Sequence, residues 1–262
     1  MTQQKHLQFT HYPHPCEEAI IIIHGLLGCK DNWRSIAKQL NTFSNVYCVD
    51  CRNHGESFHS QHMSYQDMSN DIERLCDHLN IKNATILGHS MGGKIAMHCL
   101  QQNARRYKKG IIVDIAPKSY APHHHLILNS MKAVSFSTLL TRTAIDTFLA
   151  TTIPDVAIRQ LLLKNIKRNQ NNHFYWQCNV TNIIQNYEHI MGHSLSITPV
   201  SSPTLFLRGS LSNYIRNPVD YSQIHQHFTN ATIKTINGAG HWVQSQKPQE
   251  FLEHVTTFIN EH

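Results

Sequence analysis

Short apolar runs alternate along the chain with segments whose apolar residues recur every three or four positions. The strand-like runs are brief and mostly apolar, and they lie at residues 19–23, 46–49, 84–87, 110–113, 204–207 and 231–236. The intervening segments have the spacing of one apolar helix face. This alternation predicts an α/β fold, in which a mostly parallel sheet is flanked by helices on both faces.

Two helices can be placed closely from local signals. Ser64 and Asp67 form a capping-box-like start, and the residues that follow repeat an apolar face as far as Leu79. A second amphipathic segment begins near Pro248 and continues through Ile259. Both patterns are typical of helices that pack on a core, so we predict that these two helices cover the sheet.

The alternation is interrupted between about residues 118 and 195. Helices are predicted there around residues 126–134, 144–149, 154–167 and 180–190. We therefore divide the chain into an α/β core, residues 1–117 and 196–262, and a helical cap, residues 118–195, inserted between strands 6 and 7. Aromatic side chains of the cap either wall an acyl pocket or pack the cap's own small core; they are Phe136, Phe148, Phe174, Tyr175 and Trp176.

The pentapeptide Gly-His-Ser-Met-Gly at residues 88–92 lies between a strand-like run and a helical one. Glycines on both sides of Ser90 allow a strained strand-to-helix turn that larger residues would obstruct. At such a turn the serine hydroxyl stands clear of the sheet, and the next backbone N–H is free to stabilise an oxyanion. The pattern predicts a catalytic nucleophile at Ser90, the alternative being an ordinary glycine-rich turn.

A nucleophilic serine needs a base, and His241 is the candidate. It lies on a glycine-rich loop after the last strand-like run, where it can swing towards Ser90. There it would act as general base on the serine and then as general acid for the leaving group. The chain has 21 histidines, and His241 is distinguished by this loop and by its place after Ser90 in the chain.

Five motifs together resemble those of a known family. They are residues 24–28 (His-Gly-Leu-Leu-Gly), 50–57 (Asp-Cys-Arg-Asn-His-Gly-Glu-Ser), 88–93 (Gly-His-Ser-Met-Gly-Gly), 114–117 (Asp-Ile-Ala-Pro) and 238–243 (Gly-Ala-Gly-His-Trp-Val). In this combination the chain resembles the α/β-hydrolase family and, within it, the YbfF-type branch of small bacterial esterases. The resemblance is weakest in the cap. It implies an α/β-hydrolase fold and hydrolysis of esters and thioesters, including acyl-CoA.

The acid of the triad has two candidates. The position where the family usually carries it holds Ser212, which cannot bear a compensating charge. Asp114 ends an apolar run at the carboxyl edge of the sheet, where such folds place their sites, and an unpaired charge there would be costly. We therefore predict Asp114 as the partner of His241, as the resembled branch also favours. Asp220 is the alternative, although its place near Pro218 indicates a helix N-terminus.

The resemblance also implies the rest of the site. The His-Gly loop would supply one oxyanion N–H at Leu26, and Met91, the residue after the nucleophile, would supply the other. His24 is interpreted mainly as a brace of that loop. With His89 and Trp242, it is also a candidate for contact with the substrate. No metal or organic cofactor is expected.

These features favour a serine hydrolase that cleaves short- to medium-chain acyl esters or acyl-CoA through an acyl-enzyme. Carbon–carbon bond hydrolases and perhydrolases use the same triad on the same fold, so the fold does not separate them. A small-molecule receptor that keeps the triad with vestigial hydrolysis is the alternative from a different class.

The composition indicates the size of the domain, the cellular location and the kind of partner. A chain of 262 residues with 40% hydrophobic content can bury the core of one α/β domain. It has no 18-residue apolar run, and residues 1–7 lack the apolar core of a signal peptide, so we expect no membrane span and no leader. Seven cysteines, an odd number, indicate reduced thiols and a cytoplasmic location. No nucleic-acid-binding motif is present. The expected partner is a small acyl substrate, with monomer and homodimer both open.

The net charge of +6 is unevenly distributed, since the cap holds seven Lys or Arg against three acids. This positive field over the expected entrance could attract anionic acyl carriers such as the phosphates of CoA. The alternative is an uneven scatter of solvated charge. Removing the charges of Lys164, Lys167 and Arg168 separates the two interpretations.

Overall fold

A computed structural model describes residues 5–261 of the chain. Residues 1–4 lie outside the described residues. They make up most of the segment, residues 1–7, from which we predicted that the chain has no leader. The strands are β1 (Phe9–Tyr12), β2 (Ala19–Ile23), β3 (Asn45–Val49), β4 (Ala84–His89), β5 (Tyr107–Val113), β6 (Ile166–Arg168), β7 (Phe174–Trp176), β8 (Thr204–Gly209) and β9 (Ala231–Ile236). Seven of them form the main sheet in the order β1-β3-β2-β4-β5-β8-β9. Only β1 runs antiparallel to its neighbour in that sheet.

The α-helices are α1 (Arg34–Leu40), α2 (Tyr65–His78), α3 (Met91–Gln102), α4 (His125–Ala133), α5 (Arg142–Ala150), α6 (Val156–Lys164), α7 (Val180–Gln185), α8 (Tyr187–Met191), α9 (Val219–His227), α10 (Val243–Gln246) and α11 (Pro248–Glu261). A short 3-10 helix, Lys30–Trp33, precedes α1. The predicted capping box is present at α2, where the Ser64 hydroxyl accepts the N–H of Asp67.

Helices cover both faces of the sheet, as the alternation of apolar runs predicts. Successive isoleucines of β2 point to opposite faces because side chains alternate along a strand. Ile21 and Ile23 join the cluster that includes the buried faces of α2 and α3. Ile20 and Ile22 join the cluster that includes α1 and α11. The chain therefore has the predicted α/β architecture, with a mostly parallel sheet covered by helices on both faces.

The segment between β5 and β8 carries α4 to α8, and we call residues 118–195 the cap. Five strands of the main sheet precede it among the described residues, so the cap follows the fifth strand and not the sixth. Only β1 precedes β2 among the described residues, which makes β5 the fifth strand in chain order.

The cap is not wholly helical, which corrects two predicted boundaries. The helix predicted over residues 154–167 ends at Lys164, and β6 then pairs with β7. The Arg142 guanidinium donates to the carbonyls of Leu163 and Ile166 and so fixes this change of direction. The helix predicted over residues 180–190 is divided into α7 and α8 at Asn186, whose amide contacts the backbone of the core loop at residues 61–63.

No helix within residues 5–261 combines the length and apolar character needed to cross a bilayer. All seven cysteines are unpaired, and six of them are buried. Burial raises the pKa of the Cys48 and Cys51 thiols and so suppresses the reactive thiolate, as expected of cysteines that pack in the core.

Candidate active site

The turn from β4 into α3 holds Ser90 in a strained conformation, with φ of 55° and ψ of −118°. The flanking glycines permit this turn because there is no room for side chains beside it. A Cβ on Gly88 would lie 2.1 Å from the Gly92 carbonyl oxygen, and one on Gly92 would lie 2.3 Å from the carbonyl oxygen of Ile23. The backbone therefore exposes the Ser90 hydroxyl at the carboxyl edge of the sheet, as a nucleophile elbow requires.

Asp114 and His241 meet at this edge. Asp114 directly follows β5 and is fully buried, and its Oδ2 accepts the Nδ1–H of His241 at 2.8 Å. The carboxylate has two further donors, the N–H of Gly209 to Oδ1 at 3.0 Å and the hydroxyl of Ser212 to Oδ2. The structure thus brings together the predicted base and the predicted acid, 127 residues apart in the chain.

The second acid candidate, Asp220, does not contact His241. Its carboxylate pairs with Lys118 at 2.5 Å and accepts the N–H of Arg216 at 2.6 Å. It lies in the first turn of α9 beside Pro218, as a helix N-terminal acid does. Asp220 therefore ties α9 to the segment that leaves β5.

Burial sets the protonation states of His241 and Asp114. It lowers the pKa of His241 to about 3, with a further contribution from the imidazole of His123, so the ring is neutral at pH 7 and can accept a proton. Burial raises the pKa of Asp114 to about 6, against the hydrogen bonds from Ser212 and Gly209 that favour the carboxylate. At neutral pH the pair is an imidazole and a carboxylate, the states that a general base and its orienting acid need.

The His241 ring is clamped between aromatic neighbours. Tyr214 stacks on it at 3.9 Å between ring centroids, and the ring of His89 lies at 4.6 Å. The Nε2–H of His89 donates to the His241 carbonyl at 2.9 Å, which also fixes the loop. Ser90 and His241 line the same cavity, without a direct hydrogen bond between them in residues 5–261. Such bonds commonly tighten only when substrate is bound.

Ser212 has a role that the sequence did not predict. Serine was ruled out as the acid of the triad, yet its hydroxyl donates to the carboxylate of Asp114, the candidate for that role, and it accepts the N–H of Tyr214 at 3.2 Å. It therefore links Asp114 to the ring that stacks on His241. The sequence did contain one signal for this role, which is the position of Ser212 in the loop after β8, where the acid of the triad was first sought.

The pH dependence of hydrolysis tests this arrangement. We expect kcat/KM for a neutral ester to fall as the pH drops through about 6, because protonated Asp114 no longer stabilises the His241 imidazolium. Ser212→Ala removes a donor to the carboxylate, so the pKa of Asp114 rises and the midpoint moves to higher pH by about one unit. Ser222→Ala, at an exposed position of α9, is the matched control. An unchanged midpoint in Ser212→Ala contradicts this account.

The loop after β2 forms the second half of the site. Neither the N–H of Leu26 nor that of Met91 is taken up by an acceptor within the described residues. Both residues line a small cavity that also reaches Ser90. Two free N–H groups beside a serine hydroxyl are the arrangement that an oxyanion hole requires, and Leu26 and Met91 stay our prediction for it.

His24 braces this loop with its neighbour His54. The Nδ1–H of His24 donates to the Gly25 carbonyl at 2.8 Å, and its Nε2 accepts the N–H of Cys51 at 3.0 Å. His54 accepts the N–H of Leu27 at 3.1 Å. Both nitrogens of the His24 ring are therefore engaged with backbone. His24, His89 and Trp242 line the cavity that Ser90 and His241 also line. Contact of these three residues with substrate remains a prediction.

Ser90 lies between two cavities. The larger one, of about 580 Å³, passes between the core and the cap helices α4 and α6 and is lined by His241 and Trp242. The smaller one, of about 20 Å³, is lined by Leu26, Met91 and Lys94 of the core and by cap residues that include Ile190 and Met191. Four residues line both cavities; they are Leu26, Ser90, His124 and Tyr214.

The cap contributes aliphatic side chains to the large cavity, and this corrects one of the two interpretations of its aromatic residues. Ile127, Ile158 and Leu161 form the cap wall, and none of the five aromatic residues named above lines either cavity. Phe136 instead packs on Trp176 at 5.5 Å, within the cap's own core. The cap histidines at 123 and 124 line the same cavity as His241 and Tyr214, and His123 Nε2 is hydrogen-bonded to the Tyr214 hydroxyl at 2.6 Å.

Comparisons with known proteins agree with this geometry. A family model described as alpha/beta hydrolase fold matches residues 18–248. The chain is 38% identical over 249 residues to the mouse protein named sn-1-specific diacylglycerol lipase ABHD11, covering 92% of this chain and 80% of that one. It is 33% identical over 243 residues to Esterase YbfF of Escherichia coli, covering 92% and 93% of the two chains. A solved structure titled Marine microorganism esterase superposes with a TM-score of 0.94 at 38% identity, covering 97% of this chain and all of that one.

Proposed function

The chain belongs to the alpha/beta-hydrolase family and is an ester hydrolase, and from this premise we propose that it cleaves short- to medium-chain acyl groups from bulky alcohols or thiols through a Ser90–His241–Asp114 triad. The hydrogen bond from His241 to the buried Asp114, at the edge where the elbow exposes Ser90, carries this proposal. Acyl-CoA is the thioester that we propose as one substrate class.

The reaction has two steps. His241 Nε2 takes the proton of the Ser90 hydroxyl as its Oγ bonds to the acyl carbon, and the oxyanion accepts the N–H groups of Leu26 and Met91. The bond to the leaving group then breaks, and the leaving oxygen or sulfur receives the proton from His241. Water next attacks the acyl-enzyme with the same proton transfers and releases the carboxylic acid and free Ser90. Asp114 holds Nδ1–H throughout, so that Nε2 faces the reacting atoms.

The position of His241 supports a placement of the two parts of the substrate in the two cavities. His241 must reach the leaving group to protonate it, and it lines only the large cavity. The leaving group therefore belongs in the large cavity, and the acyl group belongs on the opposite side of Ser90. The small cavity abuts the proposed oxyanion donors and has room for only a few heavy atoms, which favours a short acyl group.

The large cavity fits a bulky, partly apolar leaving group. Its cap wall is aliphatic, and Lys164 lines it at the end of α6. Lys167 and Arg168 follow on β6, although the Arg168 guanidinium bonds Asn172 and covers the Phe174 ring at 4.2 Å. Of the three basic residues named in the charge hypothesis, Lys164 is thus the one best placed to meet an anionic carrier such as CoA.

A series of aryl esters and CoA thioesters, from acetyl to decanoyl, tests this assignment. We expect kcat/KM to be greatest for the shortest acyl groups and to fall as the chain outgrows the small cavity. Lys164→Met should lower kcat/KM for acetyl-CoA several-fold at low ionic strength and leave an uncharged aryl acetate unchanged, because Lys164 attracts the phosphates. Lys132→Met, at an exposed position of α4, is the control.

Two results would contradict parts of the proposal. A preference for long acyl groups on small alcohols reverses the assignment of the cavities. Equal effects of Lys164→Met on both substrates remove the role of Lys164 in binding CoA. A folded protein that cleaves no ester or thioester but shows ligand-dependent thermal shifts supports the receptor alternative. Cleavage of a carbon–carbon bond supports the carbon–carbon bond hydrolase, and turnover of peroxide supports the perhydrolase.

The unpaired state of all seven cysteines fits a reducing compartment, and we propose a cytoplasmic location.

A further inference from the structure

The turn that carries the proposed oxyanion donor Leu26 contains a strained residue. The Gly28 N–H donates to the Gly25 carbonyl at 3.0 Å, so residues 25–28 form a β-turn, which we call the oxyanion turn. Leu27, the third residue of this turn, has φ of 60°, in the left-handed region where that position favours glycine. A leucine is strained there because its Cβ approaches a carbonyl oxygen. Contacts around the turn must therefore hold this conformation.

The core holds the N–H side of Leu27. This N–H donates to Nε2 of His54 at 3.1 Å, and the Nδ1–H of His54 donates to a backbone carbonyl at 3.0 Å. Burial lowers the pKa of His54 to about 3, so the ring stays neutral and Nε2 stays an acceptor. The Nδ1–H of His24 fixes the peptide between Gly25 and Leu26 through its carbonyl. These two histidines leave the carbonyl of Leu27 unengaged.

The cap supplies the partner of the Leu27 carbonyl. Asn165, the residue that ends α6, is only 2% exposed, and its Nδ2 donates to this carbonyl at 2.7 Å. The position of Asn165 is itself fixed. The Gln177 N–H donates to its carbonyl at 2.7 Å, and the Arg142 guanidinium bonds the carbonyls two residues before it and one residue after it. A braced turn of the cap thus presents the Asn165 amide to the oxyanion turn.

The side-chain amide of Asn165 is only half used. Nδ2 also donates to the Leu161 carbonyl at 3.3 Å, and two carbonyl partners identify this atom as the amide nitrogen. Oδ1 is buried and accepts no hydrogen bond within residues 5–261. A buried oxygen without a donor is unfavourable for folding, and a leucine of the same branched shape would avoid it. Packing alone therefore does not explain an amide at this position, whereas the bond to Leu27 does.

We infer that Asn165 is a positioning residue of the oxyanion hole, through which the docked cap keeps the Leu26 N–H directed at the reacting carbonyl. The inference rests on the proposed function, in which Leu26 is one of the two oxyanion donors. Leu26 and Leu27 are the central residues of one turn, so a change in φ at Leu27 shifts the backbone of Leu26. Oxyanion donors are effective only when they are held at hydrogen-bond distance from the oxyanion. Loss of the Asn165 bond should therefore weaken binding of the transition state more than binding of the substrate.

Asn165 also has a purely structural interpretation, as the C-terminal cap of α6 and as a tie between the cap and the core. A tie alone would lower the Tm, or would change the affinity for all ligands together through the shape of the large cavity. A positioning residue of the oxyanion hole changes the affinity for a ligand that forms an oxyanion and spares one that does not. Two inhibitors of similar shape therefore separate the two roles.

The test uses benzyl acetate as the substrate and two of its analogues as inhibitors. In 1,1,1-trifluoro-4-phenylbutan-2-one, Ser90 Oγ adds to the carbonyl carbon while its proton passes to His241, so the ketone oxygen becomes an oxyanion. N-benzylacetamide keeps a neutral carbonyl. We expect Asn165→Leu to lower kcat/KM for benzyl acetate and to raise the Ki of the ketone, both by about tenfold or more. The Ki of the amide should stay within about twofold of the wild-type value.

Asn182→Leu is the matched control. Asn182 is a cap asparagine whose Nδ2 donates to another core carbonyl, that of Ser60, at 2.8 Å, and neither residue lines a cavity at Ser90. This variant loses a comparable tie between cap and core but should keep kcat/KM and both Ki values within about twofold. Equal rises of the two Ki values in Asn165→Leu, or equal effects of Asn165→Leu and Asn182→Leu, would make Asn165 a structural tie and overturn the inference.

Asn165→Asp covers the case in which Asn165→Leu does not fold. Aspartate has the shape of asparagine, and its carboxylate cannot donate to the Leu27 carbonyl. The Ki of the ketone should rise about tenfold or more in this variant too, and an unchanged Ki overturns the inference. If the wild-type protein cleaves benzyl acetate and binds the ketone, and neither variant at position 165 differs from it, this inference alone is contradicted. Failure of the wild-type protein to cleave the ester or to bind the ketone contradicts the proposed function.

Discussion

Ser90→Ala is expected to lower kcat for a short-chain aryl ester by about 10⁴-fold or more, because no other group in the site can form the acyl-enzyme. Alanine has a Cβ as serine does, so the turn with φ of 55° is equally strained in the variant and the fold should persist. Initial rates across the acyl series, with circular dichroism and thermal unfolding on both proteins, provide the measurement.

The residual rate of the variant is itself informative. The proposed oxyanion donors at Leu26 and Met91 remain in Ser90→Ala, so a small catalytic effect over water should survive. Substrate analogues should still raise the Tm of the variant, since both cavities are intact. Turnover within a few-fold of wild type would show that Ser90 is not the nucleophile and would contradict the proposed mechanism.

Asp114→Asn is the second variant with a large expected effect, also about 10⁴-fold on kcat. The asparagine amide cannot carry the charge that stabilises the His241 imidazolium, and its NH₂ group favours the wrong tautomer of the ring. The carbonyl oxygen of the amide can still accept the N–H of Gly209, so the loop that follows β8 should keep its position. The loss is therefore expected in kcat, with little change in KM.

Asp220→Asn is the matched control, because Asp220 is an equally buried carboxylate that was the other candidate for the triad. Its partners are Lys118 and the N–H of Arg216, so the variant should lose about 1–3 kcal/mol of unfolding free energy and keep kcat within a few-fold. The reverse pattern, an active Asp114→Asn and an inactive Asp220→Asn, would identify Asp220 as the acid.

The strands and the elbow could be predicted because their signals are local. The apolar run at β2 and the run rich in β-branched residues at β9 match their strands residue for residue, since apolar and β-branched residues favour a strand wherever they lie. The Ser90 turn follows from two glycines within five residues, and the start of α2 follows from a side chain that bonds the backbone three residues ahead. None of these depends on which segments meet in space.

The cap was predicted less well because its short helices carry weaker local signals. The end of α6 and the break between α7 and α8 are set by side chains that reach distant backbone, as when Asn165 donates to the Leu27 carbonyl at 2.7 Å, 138 residues away. The residues that line a cavity are likewise decided by contacts between segments that are distant in the chain. The large aromatic residues of the cap favoured the interpretation as an acyl wall, yet none of them lines either cavity. Phe174 is buried, three others pack against the hydrophobic core as half-buried side chains, and Tyr175 is exposed.

The sequence by itself determined the α/β class, the position of the serine in its strained turn and the two most plausible acids, because each is encoded within a few neighbouring residues. Only the tertiary structure decided which carboxylate meets His241, that Ser212 shares its oxygen, that Asn165 of the cap bonds the carbonyl of Leu27, and that Ser90 lies between a large and a small cavity. These outcomes depend on contacts across roughly a hundred or more residues of chain, which arise when parallel strands bring their carboxyl ends to one edge of the sheet.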